Sequence, residues 1–435
     1  MAGRTLPLEQ AAEAAMDGRA DLVVLGGGPA GAVSALLAAR DGLDVVLVDP
    51  ERRNPRLEGL APRLHRWLRA EGLLDGFDGI QGPLTRRVDW GGIGTANAEY
   101  VVWRGALDAH LRAAAAAAGA RLRCGTGRPD GQGVVLAEGG RIAAPQVIDA
   151  RGRTALDWVS RAPATLALCG LVAAGTSLEG LHIRAFAGGW VWLVGLPDGR
   201  IWAQVMLDAA GEGTPSERLL AALHRAMPDL GAIGLAGDIS AREAAPCLAR
   251  PVGDLRVLRA GDCLAAMDPL SGHGQFWAVS SALAVAAVRR TLAARPGPET
   301  EDLCRRFLTA RAEETSLHQA RIGRDFIRAE PRFADEPFWR LRRDFPDLLP
   351  AGDLPAAIEV RRSTVVRDGL VEEMDVLRTP RTPMGIGWFG HVPAADAWRC
   401  FSKGGVAALE AVWGPAAGPL ARRLADESAT LRDPS

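Results

Sequence analysis

The apolar residues near the start of the chain fall into short buried runs separated by glycines. Leu22-Val-Val-Leu25 reads as a strand with both faces covered, and it runs directly into Gly26, Gly28-Pro29-Ala30 and Gly31. Ala32-Val-Ser-Ala-Leu-Leu-Ala-Ala39 then reads as a helix, and Val45-Val-Leu-Val48 as a second buried strand closed by Asp49. A leading helix is expected over Leu8 to Met16. In the middle of the chain the pattern alternates: Leu166–Val172, Leu181–Phe186, Gly189–Pro197 and Arg200–Leu207 read as an antiparallel sheet, with a turn at Pro197-Asp-Gly199. A helix is expected from Pro215 to Met227, opened by Thr214 and Ser216. Leu255–Ala260 predicts another strand ending in Gly261-Asp262, and Phe276–Thr291 a long apolar helix. Beyond about residue 300 the chain becomes helical, from Glu299 to Ser316 and again around Gly405 to Val412.

The glycines give the first run its chemistry. Gly26 permits a tight turn, Gly28 lets the backbone approach a pyrophosphate, and Gly31 lets helix and strand pack closely. The helix N-terminus then faces phosphates, and Asp49, eighteen residues beyond Gly31, is placed to accept from a ribose hydroxyl. Strand, turn, helix, strand and acid in this order define a dinucleotide site. Far downstream, Gly261-Asp262 followed by Asp268-Pro269-Leu-Ser-Gly272-His273-Gly274 supplies a second element: an acid for ribityl hydroxyls, and a glycine-flanked turn whose N–H groups face a flavin ring.

These ordered motifs resemble the FAD-dependent monooxygenase and halogenase superfamily, with a fold like that of para-hydroxybenzoate hydroxylase. The resemblance spans roughly residues 20–300 and implies FAD as cofactor. It implies an FAD contact for Arg104, in Trp103-Arg104-Gly-Ala-Leu-Asp108; a surface arginine at a helix start is the alternative. Val147-Ile-Asp149-Ala-Arg151 is similar to the strand end near the FAD pyrophosphate. Many members have an acid where Arg151 stands, which leaves open whether electrons come from NAD(P)H or from a separate reductase. The expected fold class is α/β, a Rossmann-like FAD domain (1–160 and 250–300) with an antiparallel-sheet substrate domain (161–249) and a helical C-terminal region (301–435).

Composition narrows the function. Charge is balanced, with 51 basic and 52 acidic residues, so no basic excess points to nucleic acid. Hydrophobic residues make up 48%, ample for large cores, yet no run of eighteen apolar residues points to a membrane span. The start lacks a secretory apolar segment, so a cytoplasmic location is expected. Six scattered cysteines form no C-x-x-C pair and read as reduced thiols, with no metal site. Cys263, next to Asp262, lies close to the expected flavin but reads as a small buried residue. Lys403 is the only lysine. Halogenases of this superfamily carry their oxidised halide on a lysine from the N-terminal third, so the resemblance is to a hydroxylase.

What the resemblance implies chemically is reduction of the flavin, reaction with O2 to an electrophilic hydroperoxide, and attack by an electron-rich ring inside a water-poor chamber. His273, between two glycines, has a pKa range suited to proton transfer; a turn-bonded histidine is the alternative. Trp190, Trp192, Trp202, Phe276 and Trp277 are wall candidates. For Trp190 and Trp192, two residues apart on one strand face, core packing is equally open, and for Trp277 it is the favoured reading. Asp268–Trp277 and Phe333-Ala-Asp-Glu-Pro-Phe-Trp339 further resemble flavoproteins that mature tryptophylquinone cofactors. That implies two oxygen insertions on a peptidyl tryptophan of a protein substrate, the small subunit of quinohaemoprotein amine dehydrogenase. A small-molecule aromatic hydroxylase and a non-catalytic escort of a partner polypeptide are the alternatives. An exposed arginine–aromatic surface near Trp339 would favour a protein partner.

Overall fold

A computed structural model describes residues 16–51, 55–155, 158–250, 253–351, 358–379 and 382–429. The expected leading helix from Leu8 lies outside the described residues, apart from Met16, which opens a short strand, Met16–Arg19.

The buried apolar runs form a five-stranded parallel sheet in the order Val257–Arg259, Gln146–Asp149, Leu22–Leu25, Val45–Asp49, Arg121–Cys124. Leu22–Leu25 and Val45–Asp49 are covered on both faces, as unbroken apolar runs require. The helix Pro29–Arg40 is buried along nearly its whole length, and its small residues let it lie close against the sheet. Gly31 sets the closeness: a Cβ there would sit 1.7 Å from the Gly26 carbonyl oxygen. The strands end together, placing Gly26, Asp49, Ala150 and Gly261 around one crevice at the C-terminal edge.

The alternating runs build a nine-stranded sheet. Thr165–Ala174, Ile201–Asp208, Gly189–Gly195 and Leu181–Phe186 pair antiparallel in that order, and Leu181–Phe186 adds in parallel to the long hairpin Ile80–Trp90 and Ile93–Trp103. The period of two divides its side chains. Val191, Leu193, Ala203 and Val205 pack against the helix Pro215–Ala226, while Trp190, Trp192, Trp202 and Met206 face Ile327, Phe338 and Trp339. Thr214 and Glu217 form a capping box at the start of Pro215–Ala226. The hairpin turn falls at Pro197–Gly199, where Asp198 accepts from the Arg200 N–H at 3.0 Å.

Two compact units result. The first comprises 1–286 and 312–347, the second 287–311 and 348–435. The parallel and antiparallel sheets therefore share one unit, where the sequence pattern separated them into domains. Residues 57–103 explain the difference: they lie between cofactor-sheet strands in sequence yet pair into the nine-stranded sheet. The second unit contains the helices Ala394–Trp413, kinked at Gly404 and Gly405, and Ala417–Ala429. Beside them stands a three-stranded antiparallel sheet, Glu359–Arg367, Leu370–Thr379 and Thr382–Ile386. Its core gathers Leu377, Leu409, Leu420 and Leu424.

Candidate active site

The crevice at the strand ends is a cleft of about 810 Å³ lined by Gly26–Ala30, Asp49, Arg104, Gly261, Asp262, Gly274 and Gln275. It brings together most of the cofactor residues named from sequence. Gly31 lies behind it, packing helix on strand. Gly28 is the open position of the turn: a Cβ there would meet nothing nearer than the Arg104 guanidinium at 3.8 Å, so a ligand can approach the backbone. Asp49 is buried, with Oδ2 accepting from Gly27 N–H at 2.5 Å and Oδ1 from Glu51 N–H at 2.8 Å. Its carboxylate thus holds the turn while still bordering the cleft.

Arg104 opens the helix Arg104–Ala117 beside this turn. It donates to Glu58 at 2.8 Å and to Asp108 at 3.2 Å, and Glu58 is also paired with Arg56. Burial would raise the Glu58 carboxyl, but Arg104 and Arg56 outweigh it and hold the pKa at about 2. Burial likewise opposes the charge on Arg104, and Glu58 and Asp108 overcome it. Gln275 donates to Glu58 at 3.0 Å and leaves its buried Oε1 without a hydrogen-bond partner at the cleft wall. Asp108, four residues after Arg104 in the quoted motif, pairs with it along one helix face, whereas Arg56, Glu58 and Gln275 were not singled out from sequence because they lie far from Arg104 in the chain. Across the cleft, Arg151 grips Asp149 with two hydrogen bonds of 2.8 and 2.7 Å.

The second flavin element meets the first directly. Gly261 has φ +64°, and a Cβ there would lie 2.8 Å from Cβ of Ala30 on the phosphate-turn helix. Its N–H donates to Ser281 at 2.7 Å, and its carbonyl accepts from the Trp277 indole at 3.1 Å. Trp277 is 1% exposed, in a core with Leu248, Ala265 and Met267, so it fixes this turn from behind and does not line the cleft. The Asp262 side chain is 41% exposed, opening onto the cleft 4.0 Å from Arg153, and the surrounding protein raises its pKa. Cys263 is fully buried, and burial raises its thiol pKa.

The remaining predicted residues fall on the far side of the same segment. A separate cavity of about 30 Å³, room for a water molecule and not for an aromatic ring, is lined by Asp268, Pro269, Leu270, Trp190, Met206, Ile327, Phe338 and Arg342, among others. Burial pushes the Asp268 carboxyl up to about 6, partly countered by the Leu270 N–H, which it accepts at 2.9 Å, and by Arg342 and Arg153. Trp192 and Trp202 belong to the core behind this wall. Trp202 stacks edge-on against Trp103 at 5.3 Å and leaves its buried indole N–H unpartnered. Phe276 faces Arg63, 4.9 Å from its ring, and His273 edge-on. Gly272 takes φ +64° after the turn Pro269–Ser271, and His273 Nδ1 bonds to the Ser271 carbonyl, which directs Nδ1–H inward and leaves Nε2 as the free acceptor. Trp339 is not a surface anchor: it is fully buried and donates to the Phe186 carbonyl at 2.9 Å. Lys403 is exposed in the second unit. The helix Gly274–Ala294 alone, among the described residues, is long and apolar enough to cross a membrane, and it is mostly buried.

A phosphate turn joined to a remote acid and glycine turn, over one cleft and beside an aromatic wall, defines a flavoprotein of the monooxygenase type. The residues present fit FAD: Gly28 offers open backbone, Asp262 an exposed carboxylate and Gln275 an unpartnered oxygen. Comparison with known proteins agrees. No family model matches the chain. The structure of the peptidyl tryptophan dihydroxylase QhpG, described as essential for tryptophylquinone cofactor biogenesis, is similar at TM-score 0.80 and 33% identity, covering 94% of this chain and 99% of that one. CmlS, a flavin-dependent halogenase, is similar at TM-score 0.73 with 17% identity over 94% of this chain and 95% of that one, which bears on the fold alone. The menaquinone reductase of Mycolicibacterium smegmatis is 29% identical over 305 residues, 60% of this chain and 73% of that protein. The chain belongs to the FAD-dependent monooxygenase superfamily, in the neighbourhood of QhpG. It is a flavin-dependent monooxygenase.

Proposed function

We propose that this monooxygenase hydroxylates a tryptophan ring within a partner polypeptide, in two successive oxygen insertions, during maturation of a tryptophylquinone cofactor. The observation that carries the reading is the end-to-end similarity to the peptidyl tryptophan dihydroxylase, at 33% identity over 99% of that chain. By that similarity the partner is the small subunit of a quinohaemoprotein amine dehydrogenase.

Bound FAD would supply an electrophilic oxygen atom derived from O2, with electrons from NAD(P)H or a reductase. The Gly26–Gly31 turn, Asp49, Arg104 and Asp262 would hold the cofactor. Gly272 and Gly274 shape a turn that would offer its backbone to the flavin, and Pro269 begins the wall of the aromatic chamber. Trp190, Met206 and Phe338 give that chamber an apolar wall, which would limit water around the reacting oxygen. The Nε2 of His273 is available to accept a proton. No lysine stands in the first unit to carry an oxidised halide.

One observation favours a second reading, a small-ring hydroxylase. The chamber is closed in this structure, its Trp190, Met206, Ile327 and Phe338 walls each under 10% exposed, so it must open for any ring, and a free ring needs a smaller opening than a polypeptide. Intact-mass measurement separates the two. FAD-loaded enzyme, reductant, O2 and the partner polypeptide should give steps of about sixteen mass units. Efficient turnover of free tryptophan with an unmodified polypeptide would reject the peptidyl substrate.

A further inference from the structure

The segment Gly261–Gly274 divides two spaces. Asp262, Gly274 and Gln275 border the wide cleft, while Asp268, Pro269 and Leu270 border the closed aromatic cavity. Asp268 is the acid among the residues that line this cavity, and no histidine lines it. Its fit is tight. A Cβ on Gly323, in the helix Pro298–Arg328, would lie 2.4 to 2.7 Å from the atoms of the Asp268 carboxyl group, so only glycine leaves it that position.

Two of the three arginines that line the cavity are engaged elsewhere, while the buried Nε of the third, Arg161, has no hydrogen-bond partner among the described residues. Arg342 is bonded to Thr165, Asp208 and the carbonyls of Ala164 and Phe338, and Arg324 is paired with Asp325 and Asp347. Arg153 donates to the Ala245 carbonyl, and Arg161 lines the cavity beyond. The Asp268 carboxylate is part-buried, and the single hydrogen bond from Leu270 leaves acceptor capacity that a ligand could use. An aromatic ring carrying an N–H would complete it. We propose that Asp268 is a specificity-determining residue that accepts the N–H hydrogen bond of an indole-type ring seated against Trp190, Met206 and Phe338 once the chamber opens, turning the carbocycle toward the cleft. This rests on the ring-hydroxylase reading and names the ring class that the same site selects.

The test uses FAD holoenzyme and two probes of the same shape: indole, and benzofuran, which has an ether oxygen in place of the N–H. Binding is followed by perturbation of the flavin absorbance. Wild type should bind indole at least about tenfold more tightly than benzofuran, equivalent to about 1.4 kcal/mol. In Asp268→Asn, where an amide oxygen can keep the Leu270 bond, the preference should fall below about threefold, because charge-assisted bonds are roughly twice as strong as neutral ones. Indole binding by wild type should weaken as pH falls through about 6, where Asp268 gains its proton, with benzofuran unchanged. No other cavity-lining side chain titrates in that range, the remaining charged ones being arginines. Equal binding of the two rings by wild type, or a preference unchanged in Asp268→Asn, overturns the assignment; oxygen addition to a polypeptide would then still stand. Failure to bind either ring together with no oxygen addition to any substrate overturns both.

Discussion

The cleft and the aromatic cavity lie on opposite sides of one short segment, and they are built on opposite principles. The cleft is wide and polar, and most of its charges are answered in place, Glu58 by Arg104 and Arg56 and Asp108 by Arg104, while Asp262 and the Gln275 oxygen stay open to it. The cavity is small and mostly apolar, and its acid is left with a raised pKa. A site that holds a cofactor gains from preorganised, mutually satisfied polar groups. A site that admits a reactant keeps one group short of partners, for the reactant to supply. In the proposed reading, the difference separates cofactor binding from ring chemistry within a single chain.

The sharpest way to break this comparison is at Gly28. Gly28→Val should leave the chain folded, since its side chain meets no protein atom closer than about 3.8 Å at Cβ, yet abolish FAD binding. Normal flavin occupancy by absorbance would remove the cleft from the argument. Gly31→Val differs, because its Cβ meets the Gly26 carbonyl, and it should lose both fold and flavin.

Next is Arg104→Ala. It leaves Glu58 and Asp108, both largely buried, without their shared cation, and breaking such a group costs about 3–5 kcal/mol. Thermal unfolding should show a marked loss even without FAD, concentrated above pH 4.5. With its pKa held at about 2, Glu58 contributes stability that is present above its unfolded value and fades as pH falls toward 2. A variant as stable as wild type at neutral pH would contradict the paired-cleft picture.

The cavity should behave in the opposite sense. With the Asp268 carboxyl raised from 3.8 to about 6, its charged form is disfavoured by folding. The associated stability is full below about 3.8 and lost as pH rises through about 6. Asp268→Asn should therefore be more stable than wild type at pH 8, by on the order of 2 kcal/mol, with the gap closing toward pH 4. Equal melting temperatures at both pH values would show that the acid is not strained. The smallest effect is expected at His273: His273→Ala should slow product formation several-fold with FAD still bound, and an unchanged rate would leave the imidazole a structural part of the turn.

The dinucleotide turn was legible because its signal is local. Strand, glycines, helix and acid lie within thirty residues, and each glycine answers a backbone requirement that no other residue meets so well. The alternating runs likewise fixed the antiparallel strands, since a period of two can serve only a sheet with distinct faces. What the sequence by itself determined, then, were the buried parallel strands with their glycine turn and the alternating strands of 165–208, whose rules act over a few residues; the strands of 57–103 and 359–386 gave no such signal.

Only the tertiary structure decided which side chains share a space. Residues 57–103 joined the nine-stranded sheet because hydrogen-bonded edges pair in space regardless of their order in the chain. Trp277 packs in the core with its N–H on the Gly261 carbonyl, and Trp339 with its N–H on that of Phe186, contacts spanning 16 and 153 positions of the chain that only folding brings together. Asp268, quoted from sequence only as part of a motif, acquired its character from Gly323, 55 residues away, and from arginines bonded elsewhere. Burial and electrostatic coupling are sums over neighbours brought together by folding, and no local pattern of residues encodes them.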